Sequence, residues 1–261
     1  MPDNDIYFSS ENLDMYLKEL AKEFRKLNGK KMPAEIILVG GAAILANYGF
    51  REKTYDVDAI VRASSAMKDA ARYVGDKFGL PEGWLNSDFI GTDSYSPKLS
   101  IYSTHYRTFS NIVEFRTVSG EYLVAMKLMA GRPYKHDLSD VAEIIAEHQK
   151  NGNPLSRDLI LTAINNLYGN ADKIHEDSMK FLDMVLSAEN IQDIIAERKE
   201  SEKSAKTALL EFEEDYENIL NEDNLFDILE SIQAKKENRD IQIQENQTKP
   251  SKKQQGVDYD N

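Results

Sequence analysis

The chain has 261 residues, which suits one large domain or a domain with an appendage. It contains no cysteine, so a disulfide framework and a thiolate zinc site are excluded. The net charge of −13 is uneven, because residues 1–150 carry −2 and residues 151–261 carry −11, and neither half has the basic excess that general nucleic-acid coating requires.

The N-terminal stretch "MPDNDIYFSS" is acidic and lacks the basic region and apolar core of a signal peptide. No apolar run approaches the ~18 residues that a membrane-spanning helix needs. We therefore expect a cytoplasmic protein without membrane contacts.

The first elements alternate between helix and strand. Apolar residues at helical spacing predict a helix over 11–28, and the short apolar run 34–39 predicts a strand. A short helix over 42–48 and a second strand over 56–62 follow. Ser64 or Ser65 then begins a helix that runs to about Phe78.

A polar loop is predicted over 82–96, followed by a strand pair formed by 98–106 and 111–118. From Glu121 onward the pattern predicts helices only. We expect an α+β fold in which a small mixed sheet flanked by helices forms a domain over 1–150. A helical region over 151–234 and a disordered charged tail over 235–261 complete the chain.

Two carboxylates interrupt the second apolar strand. Asp56 and Asp58 are two residues apart, so they project from the same face of a strand. Their mutual repulsion is offset by a divalent cation, and Mg²⁺ is typically held by one or two carboxylates plus substrate phosphates. A pair that is simply solvated at the end of a surface strand is the alternative.

Two glycines lie between the first strand and the short helix that follows it. The absence of side chains at Gly40 and Gly41 lets a ligand approach the backbone, and the N-terminus of the helix favours phosphate. A tight strand-to-helix connection would also want glycine. Together, the glycine pair and the aspartate pair predict a phosphate-binding site that faces a metal-binding site.

The stretch "VGGAAILANYGFREKTYDVDAIV" resembles the nucleotidyltransferase pattern of a Gly-Gly element followed by Asp-apolar-Asp. The later stretch "EYLVAMKLMAGRPYKHDLSDV" is similar to the second motif block of AbiEii-type toxin nucleotidyltransferases and of a related uncharacterised bacterial family within that superfamily. The resemblance covers about residues 33–148. It implies a polymerase-beta-like fold and transfer of a nucleotide.

Three cations lie near the predicted bend between two helices, namely Lys127, Arg132 and Lys135. Converging there, they could neutralise a triphosphate and the departing pyrophosphate. The resemblance supports Lys127 and Lys135 as such contacts. The alternative for Lys127 is an ammonium that only reaches water from an apolar helix face.

Three further carboxylates are candidates for the catalytic base or for a third carboxylate of the metal site. The resemblance makes Asp137 or Asp140 either the base that accepts the proton of the acceptor hydroxyl or a partner that orients the lysines, and we favour Asp137 as the base. Acidic residues in a first helical turn also simply complement its dipole. Glu114 is the candidate third carboxylate on a later strand, although pairing with Arg116 explains it equally well.

The hypothesis is therefore a metal-dependent nucleotidyltransferase that uses one or two Mg²⁺ ions and an NTP. By resemblance it would act as a toxin or phage-defence component, with an RNA such as a transfer RNA, or a protein, as acceptor, and with an antitoxin or regulatory protein as partner. The rival is a non-catalytic protein of the same fold that binds or regulates a partner. A third reading, an antitoxin-like regulatory subunit, lacks support because no specific DNA-binding signature is present.

Overall fold

The computed structural model describes residues 6–30, 32–221, 224–232 and 234–235. The strands within them are β1 (Ala34–Leu38), β2 (Val57–Arg62), β3 (Leu85–Asn86), β4 (Ser103–Phe109) and β5 (Val113–Val118). The helices include α1 (Leu13–Asn28), α2 (Gly40–Asn47), α3 (Ala66–Phe78), α4 (Gly120–Ala130), α5 (Asp137–Lys150), α6 (Arg157–Tyr168), α7 (Glu176–Ser187) and α8 (Ile191–Asp215). This order confirms the predicted α+β class.

The strands form one mixed sheet with the order β3-β2-β1-β5-β4. The central strand β1 runs antiparallel to β2, with Leu38 opposite Ala59, and parallel to β5, with Ile37 opposite Arg116. A central strand covered on both faces needs apolar residues throughout, which is why Ile37 and Leu38 are fully buried. The end of β1 and the start of β2 consequently meet at the same edge of the sheet.

Helix α1 confirms most of its predicted apolar face. Leu17, Leu20 and Phe24 are fully buried, and α1 packs against α3. Leu27 was predicted for the same face but is 56% exposed, because it lies in the last turn of the helix.

The region between β2 and β5 differs from the prediction in two places. Strand β3 lies inside the predicted polar loop, where the Val57 amide donates to the Trp84 carbonyl at 2.7 Å and extends the sheet by one short strand. Strand β4 begins at Ser103 rather than at Lys98, because Pro97–Ser100 form a 3-10 turn. Pro97 lacks an amide hydrogen and favours such a turn.

Helices α4 to α7 confirm the helical region after β5. Helix α4 packs against α5 and α6, so it is buried almost all round its circumference. None of the helices in the described part of the chain combines the length and apolar character needed to cross a membrane.

Contacts divide the chain into two compact units, residues 1–200 and 201–261. The predicted domain limits at 150 and 234 stay predictions. The predicted tail over 235–261 lies outside the described residues, except for Lys235.

The central strand gives a direct test of the core. Leu38→Ala removes a fully buried side chain, so it should lower the free energy of unfolding by about 3 kcal/mol. Ile101→Ala is the control, because Ile101 is 72% exposed, and it should change stability by less than ~0.5 kcal/mol. Urea unfolding followed by circular dichroism measures both, and equal effects would contradict the burial of Leu38 in the core.

Candidate functional site

The two aspartates lie where β2 begins. Asp58 is the second residue of β2, whereas Asp56 precedes the strand, which begins one residue later than predicted. The carbonyl of Asp58 accepts a hydrogen bond from the Val39 amide at 3.0 Å, which holds the start of β2 against the end of β1. Asp56 is exposed and Asp58 is half-buried.

The glycine turn lies directly against Asp58. Gly40 has φ +54°, a left-handed conformation that favours glycine. A Cβ atom on Gly40 would lie 3.2 Å from Oδ2 of Asp58, so a side chain there would crowd the carboxylate. Helix α2 begins at this glycine, and Val39 at its cap offers no side-chain hydrogen bond to the first-turn amides. The predicted phosphate-binding site at Gly40 and the predicted metal-binding site at Asp58 therefore lie next to each other.

The carboxylate of Asp58 is held in an unfavourable electrostatic environment. Burial, together with the like charge of Asp56, raises the pKa of Asp58 to about 6, although Lys127, Lys135 and Arg132 partly offset the rise. The three predicted cations therefore lie close enough to act on Asp58. The structure brings both motif blocks to one place.

A buried ionic cluster joins α4 to α5. The carboxylate of Asp137 is 1% exposed and accepts from Nζ of Lys127 at 2.9 Å and from Nε of Arg132 at 2.7 Å. Asp140 is 3% exposed and accepts from the same Lys127 ammonium at 2.8 Å. Lys127 is consequently held between two carboxylates and is not a surface lysine.

The environment of Asp137 argues against its predicted role as the base. Burial alone would raise the pKa of Asp137, but Lys127 and Arg132 hold it well below its usual value. An effective general base needs a pKa near the working pH. The geometry supports the second interpretation, in which Asp137 orients the two cations.

Lys135 differs from the other two cations. Among the described residues, its ammonium forms no ion pair and no hydrogen bond, although Asp56 and Asp58 lie near enough to attract it. Burial and the neighbouring charge of Arg132 lower the pKa of Lys135. Lys135 is exposed, and an ammonium beside the aspartates without a bonded carboxylate among the described residues is well placed to receive an anionic ligand.

Two residues that sequence reasoning missed connect the glycine turn to the ionic cluster. Nη1 of Arg51 donates to both carboxylate oxygens of Asp140, at 2.8 and 2.7 Å. A Cβ atom on Gly41 would lie 2.5 Å from Oγ1 of Thr54 and 3.5 Å from Cζ of Arg51, so these side chains occupy the space that Gly41 leaves. The hint in the sequence is that both residues lie between the glycine and aspartate motifs.

The structure does not bring Glu114 to the aspartates. Glu114 lies opposite Glu35 on β1, whereas Asp58 is level with Val39, a separation of about 13 Å along the strand. Glu114 instead accepts from Nη1 of Arg116 at 2.8 Å. The residue of β5 that is level with Asp58 is the buried Val118, which follows from the same strand register.

The donor set fits a hard divalent cation that shares its coordination with a substrate. Asp58 has no hydrogen-bond or ion-pair partner for its carboxylate among the described residues, and Asp56 accepts only a long bond of 3.4 Å from Thr54. Within the same residues, no three His, Asp or Glu side chains converge as a metal site. Two carboxylates would leave further positions to phosphate oxygens and water, as Mg²⁺ commonly requires.

A separate cavity of about 510 Å³ is lined by the C-terminal end of α2 and the N-terminal end of α4. Its lining includes the pair formed by Tyr48 and His148, whose hydroxyl oxygen and Nε2 are 3.0 Å apart. It contains none of the predicted site residues.

A mixed sheet that presents paired aspartates beside a glycine turn, with cations from the following helices, defines a nucleotidyltransferase-like protein. The chain belongs to a family of this kind, because residues 15–206 match the family described as nucleotidyltransferase of unknown function (DUF6036). No curated protein and no solved structure matches the chain. The match supports the nucleotidyltransferase superfamily and leaves the resemblance to AbiEii-type toxins unconfirmed.

The raised pKa of Asp58 predicts a stability signature. Because its folded-state pKa of about 6 exceeds the ordinary value of 3.8, ionisation of Asp58 costs native-state free energy, and stability is lost as the pH rises from about 4 to 6. In metal-free buffer at pH 7, Asp58→Asn should therefore raise the Tm by roughly 2–4 °C. At pH 5 the gain should shrink. The exposed Asp93→Asn is the control, and an equal gain at both pH values would contradict the assignment.

The buried ionic cluster predicts a large loss of stability. Asp137→Asn leaves Lys127 and Arg132 short of a carboxylate, so it should lower the free energy of unfolding by about 3 kcal/mol. The surface pair of Arg157 and Asp183 is the matched control, and Asp183→Asn should cost less than ~1 kcal/mol. Chemical denaturation at pH 7 distinguishes the two, and similar small losses would show that the cluster is solvated.

Proposed function

We propose that the protein transfers a nucleoside monophosphate from an NTP to an acceptor hydroxyl in a metal-dependent reaction. The observation that carries the proposal is the uncompensated pair of Asp56 and Asp58 beside the turn at Gly40. A half-buried carboxylate without a partner is costly unless a cation completes it. The family description supports nucleotidyl transfer in general.

In this reaction, Asp56 and Asp58 would hold one or two Mg²⁺ ions. A bound Mg²⁺ would neutralise phosphate charge and make the acceptor oxygen more nucleophilic. The acceptor oxygen forms a bond to the α-phosphorus and its proton passes to water, while the bond from that phosphorus to the oxygen bridging the β-phosphorus breaks and pyrophosphate leaves.

The protein's own groups supply positioning and charge. The amides at the start of α2 would bind phosphate oxygens. Lys135 would contact the phosphates directly, since its ammonium has no bonded carboxylate among the described residues. Lys127 and Arg132, both oriented by Asp137, would add positive potential that stabilises the leaving pyrophosphate.

The acceptor and setting are proposed on the resemblance described above. We propose an RNA such as a transfer RNA, or a protein, as acceptor in the cytoplasm, and a toxin or phage-defence role restrained by an antitoxin or regulatory partner. The family description names none of these.

A second function, a non-catalytic protein that binds or regulates a partner, is favoured by one observation. Val118 occupies the position of β5 level with Asp58, so this strand supplies no third carboxylate there. Thermal stabilisation by nucleotide that requires Mg²⁺ and vanishes in Asp58→Ala would contradict this second function. A non-catalytic protein that lacks a metal site should show no such stabilisation.

Labelling tests the proposed reaction. The protein is incubated with Mg²⁺, each of the four α-labelled ribonucleoside triphosphates, total RNA and protein extract. Label should enter RNA or protein with the unmutated chain and not with Asp56→Ala/Asp58→Ala. Absence of label with both proteins folded would overturn the proposal.

The same assay tests Lys135. Lys135→Gln should lower incorporation by at least about tenfold, because one charge-assisted contact to phosphate is lost. Lys150→Gln is the matched control, because it removes the same charge at the end of α5, where the Lys150 side chain is 74% exposed. Equal incorporation by the two variants would exclude Lys135 from the phosphate contacts.

A further inference from the structure

Arg51 occupies a position between the glycine turn and the buried cluster that the proposed reaction does not yet use. Its side chain is 17% exposed, and Nη1 contacts both oxygens of Asp140. Its Nε also donates to the carbonyl of Lys53 at 3.2 Å, which fixes the guanidinium in place. Three independent contacts, including the packing against Gly41, therefore hold Arg51 beside the start of α2.

The charges of this cluster do not cancel. Within the described part of the chain, Arg51, Lys127 and Arg132 share two carboxylates, those of Asp137 and Asp140. One net positive charge remains. The same cluster without Arg51 would be neutral, because Lys127 and Arg132 would be matched by the two aspartates.

A neighbouring carboxylate does not absorb the excess charge. Glu143 lies near Arg51 and Asp140, but it accepts from Nζ of Lys199 at 2.6 Å. That pair is neutral. The cluster lies beside the half-buried Asp58, because a Cβ atom on Gly41 would lie 3.5 Å from Cζ of Arg51 and one on the adjacent Gly40 would lie 3.2 Å from Oδ2 of Asp58.

We propose that Arg51 sets the charge balance of the nucleotide site: by taking a share of Asp140, it leaves Lys127 incompletely neutralised and the cluster net positive toward a bound triphosphate. This inference rests on the proposed function. Arg51 is a positioning residue that acts through Asp140 and Lys127. The ligand class it favours is a polyanionic phosphate chain over a monophosphate, because the attraction grows with the charge of the ligand.

The test uses variants that remove, restore or retain the net positive charge of the cluster. Arg51→Gln makes the cluster neutral and strands no buried charge, since Asp140 keeps Lys127. Arg51→Gln/Asp140→Asn removes one charge of each sign, so Lys127 and Arg132 then share Asp137 and the net positive charge returns. Arg51→Lys retains the charge. Arg157→Gln is the matched control, because it breaks an Arg–Asp pair on the surface.

Isothermal titration calorimetry provides the readout, with Mg²⁺ and whichever of ATP, GTP, CTP and UTP binds the unmutated protein most tightly, and with the corresponding monophosphate. Arg51→Gln should weaken triphosphate binding about tenfold and monophosphate binding less. The double variant and Arg51→Lys should each return to within about threefold of the unmutated protein. Arg157→Gln should bind normally.

Two results would overturn the inference alone. Unchanged triphosphate affinity in Arg51→Gln would show that its charge is not felt at the site. A double variant as weak as Arg51→Gln would show that Arg51 touches the phosphate itself or acts by shape, not by charge balance. Failure of the unmutated protein to bind any of the four triphosphates would instead overturn the proposed function, and this inference with it.

Discussion

The site depends on one buried carboxylate. Asp137 is almost completely shielded from water, and it holds Lys127 from α4 and Arg132 from the following turn within hydrogen-bond distance. An unpaired charge at this depth would cost several kcal/mol, so the three side chains stabilise one arrangement together. That arrangement joins α4 to α5 and holds in place two of the cations that act on Asp58.

Much of the fold was predictable because its signals are local. The apolar periodicity of α1, the run that forms β1 and the paired aspartates at β2 each lie within a few residues, and the family match to 15–206 supports the superfamily that the motifs indicated. The short strand β3 was not predictable, since a two-residue strand has no period to detect. Its existence depends on the backbone of Trp84 meeting β2.

The roles of the charged residues were harder to predict than their positions. The resemblance allowed Asp137 to be a base or an orienting carboxylate, and we favoured the base. The two look identical in sequence, and burial against two cations separates them. Glu114 looked suitable because it lies mid-strand among apolar residues. The register of β5 against β1 decides where Glu114 lies, and that register depends on strands that are distant in the chain. Arg51 was missed for the same reason, because its partner Asp140 is 89 residues away.

That separation has a consequence for how the site comes into being. The glycine turn, Arg51 and the paired aspartates are complete once the first 58 residues exist, whereas Lys127, Arg132, Lys135 and Asp140 are made much later. A ribosome-bound chain that ends before Lys127 therefore has the paired aspartates without most of the cations that act on them. Closing such a long loop is entropically costly until β5 and α4 have docked. Nucleotide affinity should thus arise late in synthesis, as a property of the nearly finished chain.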